Sequence, residues 1–346
     1  MKKGFLAKAI ALMACLLCSI GVMAQEAYAN YTPADSTLTF YYDGQRSSRS
    51  GTTYSMNTGD NDPDWITNYY TDRVIVSHLV FDPSFAAARP ASTHSWFRGM
   101  EKLSSITGIK NLNTSVVTDM GNMFLRCRSL RSVDLSGFNT ANVTNMTSMF
   151  AGCQYFTSLD LSGLNTGKVT DMSFMFNGCT YLSSLNLSGL NTSNVTTMLG
   201  MFNGCTSLTS LDLSSLNTAN VTTMRGMFYD CASLKSLDLS GLNTSSVTTM
   251  EEMFVRCTSL KSLNLSSLNT SKVATMKQMF YGCTSLDTLN LSGINTSSVT
   301  NMTYMFRDAI NIISLNPIFD WDTRSLSNKT DMFKNIPDSI ARPSWY

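Results

Sequence analysis

The sequence predicts an α/β repeat fold, a solenoid of stacked coils with a parallel sheet on one face and short helices or 3₁₀ turns on the other. Two observations predict it: a Met-Phe pair that recurs with a fixed period, and a change of apolar spacing inside each unit. A fixed period of a few tens of residues is the signature of repeat architectures. Eight phenylalanines recur every 26 residues: Phe124, Phe150, Phe176, Phe202, Phe228, Phe254, Phe280 and Phe306.

The unit that begins at Asn217 shows both apolar spacings. Its first apolar residues are adjacent or three to four apart, which predicts one face of a short helix or 3₁₀ turn. They are Val221, Met224, Met227, Phe228, Cys231 and Leu234. Leu237 and Leu239 then alternate with polar residues, which predicts a short strand with one buried face. Each unit is therefore expected to form one coil of a right-handed solenoid, with a length in the leucine-rich-repeat range.

A single coil has too few apolar side chains to fold alone, so the coils must stack and the two ends must be covered. We expect a β-containing N-terminal cap over residues 25–95, the array over 96–333, and a C-terminal cap or tail over 334–346. In the N-terminal cap, residues 38–42 and 74–81 predict strands. The Ser-, Thr- and Gly-rich segment 46–63 predicts a long surface loop.

The N-terminus has the features of a secretory signal peptide. Lysines near the start precede an apolar stretch over residues 9–23, and a small-residue site predicts cleavage after Ala24. The apolar run is shorter than the ~20 residues of a membrane span, although an uncleaved anchor stays an alternative. A lipoprotein attached through Cys15 is a second alternative. The sequence therefore predicts a secreted or bacterial cell-surface protein without a transmembrane span in its mature chain.

Composition excludes several classes of function. The net charge of +1 and the absence of a Lys/Arg stripe do not favour nucleic-acid binding. The two histidines lie outside the array, and no nucleophile elbow or phosphate-binding loop is present. We therefore predict a protein that is not an enzyme and has no cofactor, catalytic residue or metal site.

The repeated unit resembles the BspA-type leucine-rich-repeat surface proteins of bacteria. The shared pattern is Met-Phe-x-x-Cys-x-x-Leu-x-x-Leu-x-Leu-Ser-x-x-Asn-Thr-x-x-Val-Thr-x-Met, and the resemblance covers about residues 74–346. The chain departs from the pattern at Met100, Ala309 and Lys329, which all lie in the terminal coils. The resemblance implies a surface protein that adheres to host matrix proteins such as fibronectin and fibrinogen, or to other cells.

Two polar columns favour structural roles. Seven cysteines recur once per coil, and they predict either a buried column of reduced thiols or disulfides between neighbouring coils. They are Cys127, Cys153, Cys179, Cys205, Cys231, Cys257 and Cys283. The asparagines that open the units, from Asn113 to Asn295, are expected to satisfy turn backbone groups of adjacent coils, and a ligand-binding amide ladder is the alternative.

A third column is the candidate ligand-binding site. One Asp or Asn stands between the two inward leucines of each predicted strand, so its side chain must face outward. The column comprises Asp134, Asp160, Asn186, Asp212, Asp238, Asn264 and Asn290. It predicts either a solvated sheet face or an extended surface for a protein partner. A self-associating scaffold and a carbohydrate-binding or carbohydrate-active protein are the alternative functions.

Overall fold

A computed structural model describes residues 24–57, 59, 61–66 and 75–346. Of the predicted signal peptide, residues 1–23, which include Cys15, lie outside the described residues. Within the described residues, no helix is long and apolar enough to cross a membrane. The domain boundaries placed at residues 96 and 333 stay predictions.

The described chain begins with a five-stranded sheet. Its strands are β1 (Glu26–Thr32), β2 (Thr37–Asp43), β3 (Thr52–Ser55), β4 (His78–Phe81) and β5 (Ser105–Thr107), in the order β3-β1-β2-β4-β5. β1 pairs antiparallel with β2 and β3, whereas β2–β4 and β4–β5 are parallel. Because β5 belongs to the first coil, the sheet passes from the hairpin directly into the repeats.

The predicted strands of this segment are partly confirmed. Residues 38–42 lie within β2, and the strand expected over residues 74–81 is shorter than predicted: it begins at His78, and the described residues 75–77 are not part of it. The surface loop expected over residues 46–63 is wrong in part. It contains a 3₁₀ helix, Arg46–Ser48, and the strand β3. β3 exists because its backbone pairs with the free edge of β1, a partner that polar composition does not reveal.

An aromatic cluster joins this sheet to the first coil. The Phe40 ring stacks on Phe81 with centroids 4.8 Å apart and on Trp96 at 5.4 Å, and Trp65 meets it edge-on at 5.5 Å. The Trp65 indole N–H donates to the Trp96 carbonyl at 2.7 Å. The sheet therefore buries the apolar end of the array that a free first coil would expose.

The repeats stack ring on ring, as predicted. Consecutive phenylalanines from Phe124 to Phe333 have centroids 5.6–6.0 Å apart and nearly parallel rings, all of them buried. Phe97 continues the row at 5.2 Å from Phe124. At the far end, the Tyr346 ring meets Phe333 edge-on at 4.6 Å, and Arg342 lies over the same ring. Both ends of the phenylalanine row are thus covered by the chain itself.

The segment predicted in each coil as a short helix or 3₁₀ turn forms turns, and no α-helix occurs among the described residues. In the unit from Asn217, alternate backbone N–H groups bond within the coil and to the next coil. Met227 donates to the carbonyl of Met224, whereas Phe228 donates to that of Met253. Gly226 and Asp230 have positive φ values of 58° and 56°, which limit any helical run between them to three residues. The segment is therefore a series of tight turns.

The predicted parallel sheet is also largely replaced. Among the described residues, the strands expected to pair from coil to coil do so in only two places. These are β4 with β5, and β6 (Ser262–Asn264) with β7 (Thr288–Asn290). A longer line of single parallel bridges runs through the coils just before the turn segment. It joins Ser92, Asp119, Asn145, Asp171, Thr197, Thr223, Thr249, Thr275, Asn301 and Asn328. The remaining helical elements are 3₁₀ turns at Pro83–Ala87, Ile109–Asn111 and Asn316–Asp320. The result is a leucine-rich type of repeat fold dominated by turns.

A buried threonine clamps each coil to the next. Thr166, with no exposed surface, donates its hydroxyl to the Asn191 carbonyl at 2.9 Å and accepts from the Asn191 N–H at 2.8 Å. The same donation to the residue 25 or 26 positions later recurs from Thr114 to Thr296. One hydroxyl thus satisfies two backbone groups that would otherwise be buried without partners.

Replacing Thr166 by valine is expected to lower the free energy of unfolding by about 1–3 kcal/mol, because the isosteric side chain leaves the Asn191 N–H and C=O unpaired. Urea denaturation followed by circular dichroism measures the change. Thr170→Val is the matched control: its exposed hydroxyl donates one bond of 3.3 Å, so a change within about 0.5 kcal/mol is expected. Equal effects of the two substitutions would contradict the clamp.

Candidate functional site

The Asp/Asn column faces outward, as predicted. Asp238, for example, is exposed between the buried Leu237 and Leu239. Five other members are equally exposed, and Asn290 is half-buried. The column therefore offers one polar side chain per coil along the array. Its role in binding stays a prediction.

Every member of the column holds a turn of its own coil. The side-chain Oδ1 accepts the backbone N–H of the serine two residues later, at 2.9–3.0 Å, in all seven coils. Both carboxylate and amide supply this oxygen, which explains why Asp and Asn exchange at the position. An aspartate satisfies the turn with one oxygen and still presents its second oxygen to solvent.

These hydrogen bonds keep the aspartates ionised. The backbone N–H of Ser162 lowers the pKa of Asp160 below its usual value, and that of Ser240 does the same for Asp238. For Asp134 and Asp212, the largest cause of the lowered pKa is the hydrogen bond from the serine hydroxyl. Each carboxylate therefore carries its full charge at neutral pH.

In the part of the chain that the structure describes, these four carboxylates form no ion pair with lysine or arginine, although the charge of Lys110 adds to the hydrogen bonds that lower the pKa of Asp134. None of the four carboxylates has a Lys or Arg nitrogen within 4.0 Å, although other aspartates do. Asp322, for instance, is held by Arg324 at 2.6 Å. The aspartates of the column therefore form a row of carboxylates held in place by their own turns. Each has one oxygen available to a cationic partner.

Sequence reasoning missed an exposed aromatic pair, whose members each stand five positions before a residue of the column. The Tyr155 and Tyr181 rings stack with centroids 5.4 Å apart and an interplanar angle of 4°. Their exposed fractions are 41% and 54%. The Arg131 guanidinium lies over Tyr155 at 5.2 Å from the ring centroid. The signal that could have found the pair is the departure of both residues from the serine usual at this position of the repeat.

The asparagines that open the units are structural, with one correction. Asn139 Oδ1 accepts the N–H of Ala141 at 3.1 Å, a bond within its own coil, and the other units follow the same pattern. Sequence reasoning assigned these amides to adjacent coils. The contact between coils is instead made by the threonine clamp, because its buried hydroxyl lies beneath the next asparagine's backbone.

The cysteine column consists of free, buried thiols, which confirms one of the two interpretations. The alternative of disulfides between coils is wrong for these seven residues. Each Sγ donates to a phenylalanine carbonyl of the preceding coil, such as Cys205 to Phe176 at 3.2 Å. At the same repeat position Met100 and Ala309 are also buried. The column is thus part of the core.

A small polar cluster lies at the first coil. His94 Nδ1 is 3.3 Å from Asp119 Oδ1, while the Asp119 carboxylate also accepts the Gly121 N–H and the Asn145 amide. These three hydrogen bonds outweigh burial, which raises the pKa of Asp119, and the net pKa is lowered. Within the described residues, no group of His, Cys, Asp and Glu could hold a metal ion. The cluster therefore joins adjacent coils.

Comparisons with known proteins give a family and several structural relatives. A family model described as "Mycoplasma protein of unknown function, DUF285" matches residues 91–185, 157–263 and 257–340. The description does not name the BspA type, so that resemblance stays a prediction. None of the curated proteins matches the chain.

Two of the structural relatives are leucine-rich-repeat proteins. One, from Eubacterium ventriosum, is 15% identical over 94% of this chain and 96% of its own, with a TM-score of 0.39. The other, from Leptospira interrogans, is 13% identical over 77% of this chain and 76% of its own, with a TM-score of 0.25. At these scores the superpositions are too loose to transfer any binding residue.

Proposed function

The chain belongs to the DUF285 family, whose description names no activity, and we propose from the chain's own surface that it is an adhesive, protein-binding repeat protein. It is exported to the bacterial surface or secreted, and its partners are host matrix or cell-surface proteins such as fibronectin or fibrinogen. Binding uses the outward Asp/Asn column along the solenoid. The observation that carries the proposal is the row of exposed carboxylates that lack a cationic partner on a fixed frame.

Three features of the column support a role in binding. Each side chain is held by a hydrogen bond to its own turn, so little side-chain entropy is lost when a partner docks. Its spacing follows that of the coils, which suits an extended partner. The aspartates are spread regularly along the array, and none is singled out in a pocket. That arrangement favours adhesion over catalysis, so we assign no catalytic residue.

Two alternatives receive less support. Self-association through bare coil ends needs exposed apolar ends, but Phe97 and Phe333 are both covered by the chain's own residues. Sedimentation velocity is therefore expected to show a mass that does not change with concentration. Carbohydrate chemistry needs a pocket or a flat aromatic surface, and the stacked tyrosines leave only one ring face open.

The test is saturable binding to immobilised fibronectin and fibrinogen. The variant Asp160→Asn/Asp212→Asn/Asp238→Asn removes three charges but keeps the Oδ1 that holds each turn, as Asn186 and Asn264 do naturally. We expect it to bind about three- to 150-fold more weakly, since each exposed charge pair contributes about 0.2–1 kcal/mol. Higher salt should weaken binding by the wild-type protein more than binding by the variant.

Asp171→Asn is a matched control for one of these charges. Asp171 also holds a turn through Oδ1 and stands where other coils have Asn145 and Asn301, but it belongs to the line of parallel bridges. Its substitution should leave binding unchanged, whereas Asp212→Asn alone should weaken it. Undiminished binding by the triple variant would rule out this face as the site. Absence of saturable binding to both matrix proteins would refute the proposed partners.

A further inference from the structure

The tyrosine pair is not needed to stack the coils. The position of Tyr155 and Tyr181 is occupied by serine in five other coils, at residues 129, 207, 233, 259 and 285. Those coils keep the same phenylalanine row and buried leucines as the coils with tyrosine. Both tyrosines also keep much of their surface exposed to solvent. Their side chains are therefore available for a role other than folding.

The stack has one covered end and one open end. Arg131, from the preceding coil, lies over the outer face of Tyr155, and the inner face of Tyr155 meets Tyr181. The next coil has only Ser207 at this position, so no side chain of similar size continues the row beyond Tyr181. The outer face of Tyr181, the more exposed ring of the two, is thus a single open stacking position.

The chemistry around this face favours a planar cation. Aromatic faces attract guanidinium groups, and the protein already places one on the other end of the same stack. Asp160 and Asp212, on either side of Asn186 in the column, are exposed and have no Lys or Arg nitrogen within 4.0 Å in the described part of the chain. Tyr181 and Asn186 are five positions apart, so their Cα atoms are separated by at most about 18 Å. A short segment with two basic side chains bridges that distance.

We propose that the open face of Tyr181 binds an arginine side chain of a protein partner, while the neighbouring carboxylates Asp160 and Asp212 bind a second basic residue of the same segment. This inference rests on the proposed function and specifies the partner chemistry: an exposed, arginine-bearing segment. A glycan is less well matched, because coaxial rings present one face and no flat platform.

The probe is a flexible Gly/Ser peptide with two arginines, titrated into the full-length mature protein by calorimetry. Tyr181→Ser, which installs the residue of the neighbouring coils, is expected to weaken binding about two- to thirtyfold, the range of cation–π contacts. A peptide with citrulline in place of arginine, which keeps shape but lacks charge, should show a comparable or larger loss. Arg131→Thr, which installs the residue of the next coil, opens the second ring face and should strengthen binding.

Tyr229→Asn is the matched control. Tyr229 belongs to the turn segment, where other coils have Asn177 and Asn203, so its replacement should leave the affinity unchanged. Equal affinity of wild type and Tyr181→Ser for the arginine peptide would overturn the inference. If the wild-type protein binds a matrix protein through its aspartates but ignores the arginine peptide, this inference fails and the proposed function stands. If it binds neither, both fail.

Discussion

Replacing Phe228 by alanine is expected to lower the free energy of unfolding by about 3–5 kcal/mol. Phe228 has no exposed surface and stacks between Phe202 and Phe254, with centroid distances of 5.6 and 5.7 Å. The substitution removes the ring's buried apolar area, leaves a cavity, and ends both ring contacts. Because each coil contacts only its neighbours, a cavity at the centre separates the array into two halves that no longer stabilise each other.

Urea denaturation and limited proteolysis measure this effect. A broadened or two-step transition, with cleavage near residue 228, would show that the halves unfold separately. Phe319→Ala is the matched control, since the Phe319 side chain is 42% exposed, and its loss should cost less than about 1 kcal/mol. If Phe228→Ala lowered the free energy of unfolding as little as Phe319→Ala, the phenylalanine row would not be what holds the coils together.

The cysteine column is expected to be almost inert towards thiol reagents while the protein is folded. Burial raises the pKa of Cys179, Cys231 and Cys283 from 9.0 to about 12, and the pKa values of the remaining four are raised as well. Only the thiolate reacts. The shift of about three units alone lowers the reactive fraction near neutral pH about a thousandfold, and exclusion of the reagent slows the reaction further.

Ellman's reagent measures the rates before and after unfolding in guanidinium chloride. The expected result is seven slow thiols that become fast together, apart from any contributed by an uncleaved signal segment. Rapid reaction of even one array thiol in the folded protein would contradict the buried column. Cys205→Ala keeps an apolar residue, as Ala309 does in the last coils, and should remove one thiol from the count without abolishing the fold.

The same pKa shifts predict how stability changes at high pH. A thiol whose pKa is raised in the folded protein binds its proton more tightly there than in the unfolded chain. Its contribution is therefore complete below about pH 9, and it declines as pH rises from 9 towards 12. Thermal unfolding across this range should show a falling melting temperature, and the slope should be smaller in Cys205→Ala.

Repetition explains why the sequence predicted so much of the core. A side chain that recurs at one position of eight units must lie in the same place in each coil, so the phenylalanine row and the cysteine column follow from spacing and polarity alone. The outward direction of Asp238 followed from its two leucine neighbours in the same way. The tyrosine pair was missed because the interpretation followed the columns, whereas the signal was a departure from one of them.

What the sequence determined by itself is the period, the identity of the buried side chains and the side on which the aspartates lie, because apolar burial depends on short-range spacing. What only the tertiary structure decided is the backbone conformation between them. Phe228 donates to Met253 in the next coil and not to a residue four positions earlier, so turns form where the spacing allowed either a helix or turns. A local pattern cannot choose between hydrogen-bond partners that lie four and 25 residues away, and stacking makes that choice.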